Sequence, residues 1–100
     1  MILIIGMMDN KMRKFLTSHR FEDKVKVINK MCNVKFIKED VKVIIPFGFV
    51  TENGLVSNTL VDLYELLISV NVLEVIYHNS YNEKIIYKIC NELNVSVKKG

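Results

Sequence analysis

The stretch LEVIYHNSYNEKIIYKICNELNVSV, residues 73–97, changes its period twice, and those changes decide the fold. Residues 73–77 are rich in apolar and aromatic side chains and read as a short strand. Beyond them, Ile85, Ile86, Ile89, Cys90 and Leu93 recur at intervals of three and four, which predicts a helix with Lys84, Lys88, Asn91 and Glu92 toward water. Ser80 and Glu83 have the spacing of a capping box, in which the serine oxygen accepts from the glutamate amide and the carboxylate reaches back. Asn94 stops the helix, and residues 95–97 predict a terminal strand ahead of Lys98 and Lys99.

Upstream of this stretch, Asn58 or Thr59 can cap a helix running to about Ser69, with Asp62 in its first turn. Leu60, Leu63, Tyr64, Leu67 and Ile68 form its expected buried side. At the other end of the chain, residues 1–8 (MILIIGMM) read as a buried strand, and Asp9 or Asn10 caps a helix over residues 11–19. Met12, Phe15 and Leu16 face inward there, while His19 and Arg20 suit the negative end of the helix. Strand then helix at one end, and helix, strand, helix, strand at the other, require crossover connections over a largely parallel sheet. The expectation is one three-layer α/β domain over residues 1–100, flavodoxin-like or Rossmann-like in outline.

The middle segment, FEDKVKVINKMCNVKFIKEDVKVIIPF (residues 21–47), leaves two arrangements open. Val25 and Val27 alternate with Lys24 and Lys26, and Val34, Phe36, Val41, Val43 and Ile45 repeat the period of two. A tight turn at residues 38–40 would pair 34–46 antiparallel, with Phe36 and Val43 on one face. Alternatively, Glu39 and Asp40 lead from a loop into a central strand. Lysines on these strands favour a mixed sheet, because a strand covered on both faces has no room for them. Pro46 has no amide proton, so the strand from Val41 ends there or lies at an edge.

Half of the 100 residues are apolar and a quarter are charged, as in a folded chain. The longest apolar stretches are too short to cross a bilayer, and Met1 leads into Ile2 to Ile5 with no basic region ahead of them. A cytoplasmic protein without membrane association is expected. The net charge of +3 is uneven, with ten Lys or Arg against five acids in residues 1–50 and four against six afterwards. That asymmetry raises a nucleic-acid reading, but the lysines are dispersed by a strand pattern and only two arginines accompany them. Cys32 and Cys90 lack metal-ligand spacing and read as reduced, buried thiols.

In a parallel sheet the loops at residues 6–10, 48–58 and 78–80 would gather at one edge, where α/β folds take ligands. His78 is the candidate acid or base there, with Asp9 as a candidate catalytic carboxylate beside it. Asn10, Lys11, Gly48, Thr51, Glu52, Asn53, Gly54, Asn79 and Ser80 are the candidate ligand-binding residues on the same rim. The loop PFGFVTENGLVSN lacks both the phosphate-loop and the dinucleotide glycine patterns, so it reads equally as a ligand loop, an interface or a packed connection. No metal signature is present, and the identity of any cofactor stays open.

Three functions follow from this reading. The first is a module acting through self-association, as a dimer, or through a protein partner. The second is binding or turnover of a phosphorylated metabolite or nucleotide at the rim near Asp9, Thr51 and His78. The third is nucleic-acid binding by the basic half, which the dispersed lysines disfavour. Whether the protein is an enzyme stays open.

Overall fold

The computed structural model describes residues 1–48, 50, 54–55, 59–78 and 82–100. The chain runs β1 (Ile2–Ile5), α1 (Asn10–Ser18), β2 (Val25–Ile28), a 3-10 turn (Met31–Val34), β3 (Asp40–Ile45), α2 (Leu63–Ser69), β4 (Asn71–Tyr77), α3 (Glu83–Glu92) and β5 (Ser96–Lys99). The strands form one sheet in the order β2-β1-β3-β4-β5, and each of the four ladders is parallel. This is the doubly wound order of the flavodoxin-like α/β folds, with the reversal of strand order between β1 and β3.

Alternate residues of the central strands go to opposite layers. Ile4 and Ile44 pack under Met12 and Phe15 of α1, with Ile76, Phe21 and Phe47 around them. Leu3, Ile5, Val43, Ile45, Val75 and Tyr77 meet Leu63, Leu66 and Leu67 of α2 and Ile86, Ile89 and Cys90 of α3 on the other side. Near-continuous Ile, Leu and Val in β1 and β3 is what burial on both faces requires. The three layers follow from that pattern.

The antiparallel alternative for residues 34–46 does not form. Met31–Val34 coils into the 3-10 turn, so Val34 and Ile37, three apart, are buried while Phe36 points outward at 84% exposure. β3 instead lies between β1 and β4 and ends at Ile45, immediately before Pro46. Lys42 is tolerated on this central strand because its face opens to water beyond α1. There it pairs with Glu74 of β4 at 3.5 Å, and Lys98 of β5 reaches the same carboxylate at 3.7 Å. One bulge interrupts the ladder: Val41 pairs with Val72 and Lys42 with Glu74, leaving Leu73 without a partner on β3.

The caps explain where the helices start and stop. Asp9 accepts from the amide of Met12 at 2.9 Å, and Asp62, not Thr59, caps α2 by accepting from Glu65 at 3.2 Å. Asn58 lies outside the described residues. The later start of α2 leaves Leu60 in an extended segment, where its amide donates to Asn29, and Leu60 is exposed rather than buried. α3 begins at Glu83 with Asn82 as its N-cap, so Glu83 is the first helical residue and not the third. Both halves of the expected capping box involve Ser80, which lies outside the described residues. Asn94 adopts a left-handed φ of 56°, and the amide of Val95 then donates to Cys90 at 2.8 Å, closing α3. β5 follows at Ser96, one residue later than the alternation suggested. No helix among the described residues is long and apolar enough to cross a membrane.

Candidate functional site

Parallel strands bring the ends of β1, β3, β4 and β5 to one edge of the sheet, and the sequence candidates distribute themselves along it. Asp9, Asn10 and Lys11 follow β1 and form the exposed N-terminal end of α1. Gly48 follows β3 with a left-handed φ of 80°, which its lack of a Cβ permits. β1 and β3 are neighbours, so these residues flank the point where strand order reverses. Thr51, Glu52, Asn53, Asn79 and Ser80 lie outside the described residues.

Gly54 belongs to a different place. It has a φ of 79°, its carbonyl accepts from Leu63 at 2.6 Å, and a side chain there would meet Ile89 and Asp62. Gly54 thus joins the entry of α2 to α3 instead of lining the β1–β3 crevice.

The candidate pair of Asp9 and His78 takes two separate environments. The Asp9 carboxylate caps α1, while the imidazole of His78 packs against the second half of that helix. Its ring centroid lies 5.6 Å from Phe15 and 6.1 Å from His19. Six residues separate Asp9 from Phe15, about 9 Å along a helix axis. His78 also donates its backbone amide to Ile45 at 2.8 Å, and Gly100 of the β5 end closes against the ring. Burial, and next the positive charge available on His19, hold the His78 imidazole below its ordinary pKa. Among the described residues no group of three or more His, Cys, Asp or Glu could hold a metal ion.

Two further features were hidden by tertiary structure. The first joins β4, β5 and α3. Buried Tyr77 donates its hydroxyl to Glu83 at 3.2 Å and lies 3.4 Å from the hydroxyl of Tyr87, and Lys99 holds the other Glu83 oxygen at 3.6 Å. The hydrogen bond with Tyr87, burial and the Glu83 carboxylate all raise the Tyr77 pKa, so its phenol stays neutral and acts as a donor. These contacts clamp α3 to the sheet through the Glu83 carboxylate.

The second is the outer side of α2. Leu63, Leu66 and Leu67 enter the core, yet Tyr64 and Ile68 stand one turn apart on the solvent side at 45% and 59% exposure. Leu60, just before the helix, is 71% exposed. Beside α2 runs a groove of about 260 Å³ lined by Met31, Cys32, Val34, Lys35, Glu65 and Ser69. Phe36 projects next to its Lys35 wall. Cys32 is an exposed free thiol here, contrary to the expectation of burial, because the 3-10 turn directs Val34 inward in its place. Cys90 is buried as expected, and burial pushes its thiol up to about 11. The sequence signal for this face is an apolar arc over residues 60–70 too wide for one contact, with Asp62, Glu65 and Ser69 on a narrow polar strip.

Comparison of the chain with protein-family models, with curated proteins and with solved structures returns no significant match.

Proposed function

We propose that this α/β module works by association, and that its contact surface is the outer side of α2 with the adjoining groove, paired with a second copy. The observation that carries the reading is the composition of α2, LYELLIS, in which Glu65 and Ser69 are the polar residues. Glu65 and Ser69 share one exposed strip of the helix, and Tyr64 and Ile68 form an apolar strip beside it that the sheet does not cover. The inner side of α2 meets the sheet, and its outer side carries Tyr64 and Ile68 into water.

A two-fold pairing suits this surface because the exposed Phe36 follows directly on Lys35 of the groove wall. Phe36 of each copy can enter the groove between the 3-10 turn and α2 of the other, and Lys35 and Glu65 on the groove walls offer opposite charges to a symmetric partner. The sheet edges fit association less well. β5 carries Lys98 and Lys99 and β2 carries Lys26, and edge lysines oppose strand-to-strand pairing.

Cys32 reports on the surface directly. Its rate of alkylation should fall as protein concentration rises through the micromolar range, while buried Cys90 stays silent. A Cys32 rate independent of concentration would count against self-association through this face.

A second reading rests on the strand reversal between β1 and β3, since α/β sheets take ligands in the crevice at such a point. Asp9, Asn10, Lys11 and Gly48 flank it and would meet a phosphorylated metabolite or nucleotide. Titration with inorganic phosphate and with a nucleoside monophosphate, followed through the amide signals of Asn10 and Lys11, tests it. Unchanged signals at millimolar ligand would remove it. The nucleic-acid reading is weakened further, because Lys24 and Lys42 each pair with a carboxylate.

A further inference from the structure

The chain has two histidines, His19 and His78, and the fold brings them together from distant positions in the sequence. Their ring centroids lie 6.1 Å apart, nearly perpendicular at 75°. Phe15 touches both, at 4.1 Å from His19 and 5.6 Å from His78. Phe21 stacks on His19 at 5.8 Å, and Phe47 meets Phe15 edge-on at 5.7 Å. Five rings from α1, the segment before β2, and the ends of β3 and β4 thus form one cluster. Together with Met12, which packs on Ile4 and Ile44, it holds α1 on the sheet.

We propose that the His19–His78 pair is an acid-sensitive latch for α1. With neutral imidazoles the two rings belong to the aromatic packing under the helix. With both protonated, two like charges stand 6.1 Å apart among phenylalanines, and the packing of α1 loosens.

The local chemistry defines which atoms take part. Nδ1 of His19 lies 2.8 Å from the carbonyl of Phe15, which can only accept, so the ring donates there and is held at the end of α1. From α1, His19 is the charge that bears on His78, while Lys11, Arg13 and Lys14 are exposed. β3, β4 and β5 bring Lys42, Glu74 and Lys98 on the same face, where they are tied to one another. Just past β5, the backbone of Gly100 lies against the His78 ring. Arg20, Glu22 and Asp23 on the segment that carries Phe21 are exposed.

The direction of the pH effect follows from His78. Its folded-state pKa is depressed, so its contribution to stability is present above the unfolded value of about 6.5 and is lost as pH falls through the folded value.

The test is an NMR titration of both imidazoles in the full chain with a chelator present, together with amide exchange of α1. His19→Gln, at an exposed position, should raise the His78 midpoint by about half a pH unit or more, the effect of a unit charge at this separation even at the dielectric of water. Exchange protection of α1 in the wild type should fall between about pH 7 and about pH 5, and His78→Gln should remove that dependence. A His78 midpoint unmoved by His19→Gln, or α1 protection equal at the two pH values, overturns the latch.

Discussion

Moving one positive charge by a single residue along β3 should separate a tolerated protein from an unfolded one. Lys42 and Val43 are adjacent on the central strand, but Lys42 faces the open side beside Glu74, whereas Val43 has 0% exposure in the core beneath α2 and α3. Val43→Lys places an ammonium where no carboxylate waits. An uncompensated buried charge costs about 3–5 kcal/mol, and overpacking adds about 1–3 kcal/mol. Domains of this size have about 5–15 kcal/mol in all, so this variant should lose most of its folded population. Lys42→Val removes only an exposed ion pair worth about 0–1 kcal/mol and puts a β-branched side chain on a strand. It should stay within about 1 kcal/mol of the wild type. Urea unfolding followed by far-UV circular dichroism suits a chain without tryptophan. A Val43→Lys variant that unfolds cooperatively within about 1 kcal/mol of the wild type would refute the assignment of faces, and so would a Lys42→Val variant that loses more than about 3 kcal/mol.

Other consequences are simpler to measure. Tyr77→Phe leaves the ring in the core but strips the donor from Glu83, and should cost about 1–2 kcal/mol in urea unfolding while the far-UV spectrum is unchanged. Cys90 should resist alkylation at mildly alkaline pH while Cys32 reacts, as mass spectrometry of the labelled chain would show. Because the folded-state pKa of Cys90 is raised to about 11, its contribution to stability should be intact below the thiol's ordinary range and decline as pH climbs through about 11.

The parts of the fold that could be read from the sequence are those where one period holds over several turns. Ile85 to Leu93 has apolar residues on one side and lysines on the other, so its buried face is unambiguous. Ile2 to Ile5 and Val43 to Ile45 are apolar without alternation, which is the mark of strands covered on both faces. Reading failed where a short pattern suits two structures. Val34 and Phe36 have the spacing of a strand, but Val34 and Ile37 also have the spacing of a 3-10 turn, and burial of the second pair wins. Around α2 the apolar arc is wider than one contact, so only contact with the sheet decides that Leu63, Leu66 and Leu67 go in and Tyr64 and Ile68 stay out.

The rim was legible as topology and much less so as chemistry. Alternating strands and helices put residues after β1, β3 and β4 on one edge, but they could not say that the Asp9 carboxylate caps a helix while His78 packs on Phe15. Nor could they show that Tyr77, Tyr87, Glu83 and Lys99 meet, since that cluster draws on three elements. The same holds for His19 and His78, one at the end of α1 and one at the end of β4. Lys42 gives the converse lesson. A lysine on a central strand suggested a mixed sheet with one antiparallel pair, and its real allowance is the open layer beyond α1, where Glu74 receives it.

Association through α2 is tested most directly by sedimentation equilibrium of the wild type beside Ile68→Asp, over the concentration range used for Cys32 labelling. The account predicts a dimer mass for the wild type and a monomer mass for the variant, with superimposable far-UV spectra. A wild type that stays monomeric throughout, or an Ile68→Asp protein that still sediments as a dimer, would contradict it.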